Sequence, residues 1–217
     1  MNYLPKVLVA AVIIAASGAA VAGERSSRSD LDSAEVLMHS ESMTSGIGGK
    51  SMHELHHGGA SVTPKDEASY LVDMIPHHEE AIRAARQLLA GTEREEMAQF
   101  AREIIRVQSA EVDVMRTWLA QRHPTVDTTS AYMAMMRNYD GMTGDELDQA
   151  FLVDMIPHHM TAIMMSRQLI ALGLAEHDDV VPFAETIATT QSNEVTSMRT
   201  WLFTWFPGAE YGMMNHG

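Results

Sequence analysis

The sequence predicts an all-α protein: a four-helix bundle made from two copies of one helix–turn–helix unit. Three observations lead there. The stretch Leu71-Val72-Asp73-Met74-Ile75-Pro76-His77-His78 returns letter for letter at Leu152–His159, 81 residues further on. A second block, Gln108-Ser109, Glu111-Val112 and Met115-Arg116-Thr117-Trp118-Leu119, returns 83 residues later as Gln191-Ser192, Glu194-Val195 and Met198-Arg199-Thr200-Trp201-Leu202. Both blocks lie in long stretches where apolar residues recur at spacings of three and four, which marks helices with one buried face.

The elements follow in order. Lys6 precedes an apolar run from Val7 to Ala16, and Ala20-Val21-Ala22 supplies a small-residue cleavage site. Residues 1–22 therefore read as a signal peptide cut after Ala22, too short in its apolar part to span a bilayer, and the mature protein is expected in the periplasm or outside the cell. Residues 23–62 form an arm rich in Ser, Gly, His and Met that lacks the apolar content to fold, so it is expected to be flexible. The bundle spans 63–206, with repeats at about 63–122 and 143–206. Thr63 is the expected N-cap of the first helix, with Pro64 at its first position. Gly91 ends that helix, and Thr92 with Glu95 reads as a capping box for the second. His123-Pro124 stops the second. Thr143 with Glu146 caps the third, Gly173 terminates it, and Asp178 with Pro182 starts the fourth. The crossover between the repeats, 131–142, is expected to carry a turn of helix, and residues 207–217 are a Met/His tail.

Composition removes several classes of function. With 15 Lys+Arg against 29 Asp+Glu the formal charge is −14, the wrong sign for a nucleic-acid binder. The absence of Cys excludes disulfides, thiolate metal sites and a cysteine nucleophile. Eighteen Met beside five Phe is an unusual way to fill a core. No Ser-His-Asp constellation or phosphate-binding loop competes for attention.

The chemistry lies on the inward seams. In the first unit Tyr70, Met74, His77, Ala81 and Leu88 form one seam, and Leu71, Ile75, His78 and Ile82 form its neighbour. The second helix contributes Gln108, Glu111 and Met115. Met74, His77 and His78 stand at i, i+3 and i+4, so one helical face presents a thioether and two imidazoles, while Glu111 and Met115 do the same across from them. The duplicate set is Met155, His158, His159, Glu194 and Met198. Asp73 and Asp154, four residues before His77 and His158, are expected to orient those rings. Buried imidazole, thioether and carboxylate together make a metal-ligand inventory, and thioether sulfur selects Cu(I), with Ag(I) as its mimic. A second reading makes the protein a non-metal helical-bundle interaction module in which the same groups form a polar network that fixes helix register, with Met as adaptable filler. Further Met and His in the arm, the crossover, helix three (Met160, Met164, Met165) and the tail read as auxiliary capture sites, although the helix-three group fits a core equally well.

The paired Asp-Met-Ile-Pro-His-His motifs, each followed by a Gln-x-x-Glu-Val-x-x-Met-Arg-Thr-Trp-Leu helix, resemble the ferritin-like domain-of-unknown-function family DUF305 over about Lys65 to Phe206. The resemblance implies a ferritin-like four-helix bundle and, for its characterised branch, binding of Cu(I) and Ag(I) through Met and His. The matching positions here are Met74, His77, His78, Met115, Met155, His158, His159 and Met198. A third and weaker reading is a ferritin-like oxidoreductase using iron or copper, although a di-iron centre would need Glu-x-x-His pairs on two bundle helices. The one such pair, Glu54 and His57, is in the arm, and the bundle reads as short of inward carboxylates. The expectation is an exported, non-enzymatic protein that sequesters or hands on Cu(I), its partners being copper ions and a protein that donates or accepts them. It has no nucleic-acid partner and no membrane span in its mature form.

Overall fold

The computed structural model describes residues 63–130 and 132–208. The expected signal peptide, the whole arm, crossover residue 131 and most of the tail lie outside the described residues. The rest forms four helices: α1 (Glu67–Gly91), α2 (Glu95–Arg122), α3 (Gly144–Ala171) and α4 (Val180–Trp205). α1 packs on α2 and α3 on α4, giving two helical hairpins, and the hairpins join through α1 against α3. Every residue placed on the inward seams is buried or half-buried. One continuous apolar cluster draws on all four helices, with Tyr70 and Met74 from α1, Val112 and Met115 from α2, Met165 and Leu169 from α3, and Phe183 and Ile187 from α4.

The repeat appears in three dimensions as an approximate twofold relation. Phe100 stacks edge-on to Trp201 at 5.3 Å between centroids, and its duplicate pair, Phe183 with Trp118, does the same at 4.9 Å. The start of α2 thus meets the end of α4 and the reverse, so these helices run antiparallel. At the middle of α1 and α3, His77 and its own duplicate His158 face each other with ring centroids 3.7 Å apart. Pro76 and Pro157 lie inside their helices, one residue before these histidines. Each proline removes an N–H from the helical ladder at that point.

Several helix ends differ from expectation. α1 is capped by Asp66 and not Thr63: the Asp66 carboxylate accepts the Ser69 N–H at 2.7 Å, and the Ser69 hydroxyl accepts the Asp66 N–H at 3.1 Å. That reciprocal box satisfies two end donors at once, which a lone threonine cannot do. The start of α2 falls at Arg94, without a side-chain cap, because Thr92 closes a local turn by accepting the Arg94 N–H. Thr143 occupies the N-cap of α3 but makes no capping hydrogen bond, and α4 begins after Asp179, whose carboxylate is engaged with Arg122. Gly91 is needed for space, since a Cβ there would meet Leu147 at 2.7 Å. Gly173, at φ +64°, ends α3 as expected. The described crossover residues, 132–142, form no helix; they are held by side-chain contacts described below.

One buried hydroxyl pair separates the repeats. The Tyr70 hydroxyl lies 3.0 Å from Ser166 Oγ with both residues wholly buried, whereas the corresponding positions, Phe151 and Ala85, carry no hydroxyl at all. Each polar group therefore has a reason only in the other's presence. Ser166→Ala is expected to strand the Tyr70 hydroxyl and cost about 1–3 kcal/mol, while adding Tyr70→Phe recovers most of the loss. A denaturant-unfolding double-mutant cycle reads both values; additive losses would contradict the pairing.

Candidate metal centre

The centre is built where α1 and α3 cross. Four histidines are buried there with exposures of 0 or 1%. Their rings form one row: His78 to His77 at 6.1 Å, His77 to His158 at 3.7 Å and His158 to His159 at 6.1 Å between centroids. Two adjacent histidines on one helix cannot share a direction, so each pair splits: His77 and His158 meet across the hairpin interface, while His78 and His159 turn back into their own hairpins.

Each ring has one nitrogen committed. His78 Nε2 lies 2.9 Å from Glu111 Oε2 of α2, and His159 Nε2 lies 2.8 Å from Glu194 Oε2 of α4. His77 Nε2 lies 3.0 Å from the carbonyl oxygen of His158. His158 Nε2 is 3.3 Å from Glu80 Oε2. Carboxylate and carbonyl oxygens accept hydrogen bonds and do not donate them, so His77, His78 and His159 carry their proton on Nε2; the Tyr132 hydroxyl, also 3.3 Å from His158 Nε2, gives its own proton to Glu80, so His158 Nε2 is the donor as well. The other ring nitrogen, Nδ1, is buried and has no hydrogen-bond partner among the described residues in any of the four. A ring whose N–H is held by a carboxylate or carbonyl, with the opposite nitrogen left over, is the usual state of a histidine that binds a metal. Nearby, Gln108 Oε1 and both amide atoms of Gln191 are also buried without partners.

Burial sets the charge at the middle of the row. It drives the His77 pKa well below its ordinary value, reinforced by the neighbouring His158, His78 and His159 rings. Burial likewise lowers His158 to about 4, despite the opposing pull of the Glu80 carboxylate. Both rings are neutral at pH 7, and Nδ1 of each carries a lone pair that a metal ion can accept.

Glu80, which the repeat could not reveal, is buried beside this row; its duplicate position is Thr161. Burial disfavours its charge, but contacts from His158, the Tyr132 hydroxyl and the backbone N–H groups of Met135 and Met136 outweigh that and bring its pKa to about 2. Tyr132, from the crossover, donates to Glu80 and lies edge-on to His77 at 5.7 Å. The crossover therefore covers the histidine row. Asp73 and Asp154 serve this cover and do not orient the rings as expected. Asp73 accepts the Ser130 hydroxyl at 2.8 Å, while Asp154 accepts Arg137 and the Tyr139 hydroxyl. The crossover brings donors within their reach, and Nε2 of His77 is already committed elsewhere.

The four expected methionines, Met74, Met115, Met155 and Met198, are all wholly buried. Met74 and Met155 precede the histidine pairs by one helical turn, and Met115 and Met198 follow Glu111 and Glu194 by one turn. Of the helix-three group, Met165 joins the core, while Met160 and Met164 stand 48% and 41% exposed. Buried carboxylates are more numerous than the sequence suggested: Glu67, Glu80, Glu111, Asp148 and Glu194. Glu111 and Glu194 are bound to histidine on the facing helix, not arranged as Glu-x-x-His.

The fold and centre together define a helical-bundle protein with a buried, duplicated histidine–carboxylate cluster. The chain belongs to the DUF305 family, described as a domain of unknown function, whose model matches residues 21–119 and 67–202. Among solved structures it is similar to CopM in the Cu(I)-bound form, at 31% identity and TM-score 0.58 over 65% of this chain and 98% of that one. CopM in the Cu(II)-bound form is similar at 29% identity and TM-score 0.59, over 66% of this chain and all of that one. A DUF305 protein from Streptomyces coelicolor shares the fold at 18% identity and TM-score 0.56, over 63% of this chain and 92% of that one. No curated protein matches the chain significantly. Among the described residues no helix is long and apolar enough to cross a membrane.

The buried neutral histidines carry a consequence for stability. Their folded pKa values lie below the ordinary 6.5, so between the two values the unfolded chain binds protons that the folded chain refuses. Stability is therefore full above pH 6.5 and falls as pH drops toward about 4, where His158 protonates; below pH 4.5 the depressed Glu80 adds to the loss. The unfolding temperature is expected to decline steadily from pH 7 to pH 4, and His158→Gln to flatten that slope. A flat profile in the parent protein would contradict buried neutral imidazoles.

Proposed function

We propose that this protein is an exported binder of Cu(I), and of Ag(I) as its mimic, that sequesters the ion or passes it on and so contributes to copper homeostasis or resistance. The observation that carries the reading is the set of four buried Nδ1 atoms without partners, each on a ring whose Nε2 is held by a carboxylate or carbonyl. The ligands are His77, His78, His158 and His159 with Met74, Met115, Met155 and Met198. Thioether sulfur supplies the softness that Cu(I) prefers, and imidazole the borderline nitrogen. Neither thioether nor neutral imidazole has to lose a proton to bind.

Solved relatives support the choice of ion, since CopM structures are described as Cu(I)-, Cu(II)- and Ag-bound. The surface supports a capture role. Of the six large hydrophobic side chains exposed among the described residues, four are methionines: Met133, Met135, Met160 and Met164. Exposed thioethers on the crossover and α3 give a soft ion a series of weak stops beside the buried row, and the Met and His of the arm and tail extend it. The signal-peptide pattern at residues 1–22 supports a role in the periplasm or outside the cell, where a cysteine-free site cannot be lost to disulfide formation. The protein acts by binding, not by catalysis, and a copper-donating or copper-accepting protein is its natural partner.

A second reading has its own support. The His78–Glu111 and His159–Glu194 contacts form without a metal, as those of a register-fixing network would. Anaerobic Cu(I) titration against a chromophoric competitor separates the two. Replacing Met74, His77, His78, Met155, His158 and His159 together is expected to abolish tight binding, and Glu111→Gln with Glu194→Gln to weaken it by about 10–100-fold. Binding that survives the first variant would move the site to the arm, crossover or tail. Absence of binding in the parent would leave the structural network as the better account.

A further inference from the structure

Among the described residues, one group of three His and carboxylate side chains brings its ligand atoms together, at the end of the bundle where α1 begins. Glu67, the first residue of α1, is wholly buried. Its Oε1 lies 3.1 Å from Nε2 of His123, the residue that ends α2, and 2.8 Å from Nδ1 of His177, in the turn before α4. Its Oε2 accepts the backbone N–H groups of Glu176 and His177 at 2.7 and 2.9 Å. The two imidazole nitrogens and a carboxylate oxygen all lie within 4.8 Å of one another. None of these residues belongs to the duplicated motifs.

The other repeat shows how the same position is handled when only neutralisation is needed. The duplicate of Glu67 is Asp148, equally buried near the start of α3. Arg94, in the turn between α1 and α2, lies 3.3 Å from it, although burial still pushes the Asp148 pKa up, and Arg94 is further held by Asp145 and by the faces of Trp205 and Phe206. A guanidinium is a donor only and ligates no metal. At the Glu67 end that single cation is replaced by two imidazoles from separate segments, both of which can be ligands.

Neighbouring groups outside the cluster hold the two rings in place. Arg122, directly before His123, makes two bonds of 2.8 and 2.6 Å to Asp179, two residues after His177, and lies over Trp118. That clamp fixes the end of α2 to the start of α4 whatever happens at Glu67. The His177 side chain is 39% exposed, so the group opens to solvent on one side.

We propose that Glu67, His123 and His177 form a second cation site, separate from the methionine-lined row, for a divalent ion of borderline hardness such as Zn(II) or Cu(II). Two imidazoles and one carboxylate, without sulfur, are the donor set such ions prefer, and Cu(I) is better served elsewhere in the chain. The ion takes the place of the two N–H···O contacts: each ring offers the nitrogen now facing Glu67, its remaining proton residing on the other nitrogen. Water entering past His177 completes the shell. An ion held there ties α1, α2 and the α3–α4 turn together, joining the two repeats at their open end.

The full mature chain, its own arm included, is titrated with Zn(II) by calorimetry, and Co(II) is used as a visible-absorption probe. His123→Gln with His177→Gln is expected to remove one equivalent of Zn(II) and the corresponding Co(II) band while leaving Cu(I) binding unchanged. His177→Gln alone, at a half-exposed position that leaves Glu67 three other donors, is expected to fold normally and to weaken that step by at least tenfold. In the parent, Zn(II) raises the unfolding temperature, and in the double variant it does not. Equal Zn(II) stoichiometry and affinity in parent and both variants would overturn the proposal. So would loss of the Zn(II) step on His77→Gln with His158→Gln, which would assign the ion to the central row.

Discussion

The structure depends on four imidazoles being buried with one nitrogen tied down and the other left over. Removing a histidine from water is costly unless its N–H finds an acceptor, and here each one does: two on glutamates of the partner helix, one on a backbone carbonyl and one on Glu80. Those four acceptors set much of the architecture. Glu111 and Glu194 couple α2 to α1 and α4 to α3, within each hairpin. The His77 contact to the His158 carbonyl couples α1 to α3, the helix pair that joins the hairpins. Glu80 draws in the crossover, whose Tyr132, Met135 and Met136 all converge on its carboxylate.

Duplication explains the near-symmetry, and the crossover explains where it fails. A single chain running through two copies needs one connection, and that connection can cover only one side of the dyad. Glu80 has therefore acquired a role that Thr161 lacks, and His158 is held differently from His77. The same asymmetry recurs at the bundle ends, where Glu67 meets two histidines and Asp148 meets an arginine. Each difference matches side chains on both partners, as Tyr70 with Ser166 against Phe151 with Ala85 shows most simply.

What was legible in the sequence was whatever repeats or has a period. The four helices, the internal prolines, the seams and the His, Glu and Met positions on them follow from spacings of 3.6 and of 81–83 residues. Less legible were features that depend on a single contact across the fold. Thr63 resembled a cap because caps are recognised from local letters, but the Asp66–Ser69 exchange satisfies more donors. Glu80 has no counterpart in the second repeat, and nothing local announces that the crossover will bury it. Asp73 and Asp154 stand one turn before a histidine, yet spacing along a helix does not reveal what a loop 57 residues away or 17 residues away brings to them. His123 reads only as part of a helix stop until the fold sets it, with His177, against Glu67.

The central claim is that the row of histidines presents Nδ1 to a soft ion while Nε2 keeps its proton. Nitrogen-15 NMR of the histidine rings tests it directly, because the two nitrogens and their protonation are separately resolved. In the metal-free protein at pH 7, His77 and His158 are predicted to be neutral with the proton on Nε2. On addition of Ag(I), the Nδ1 resonances of the row are predicted to shift and couple to the metal, while Nε2 keeps its proton. A proton on Nδ1 in the free protein, or Nδ1 resonances that ignore a saturating excess of Ag(I), would contradict the account.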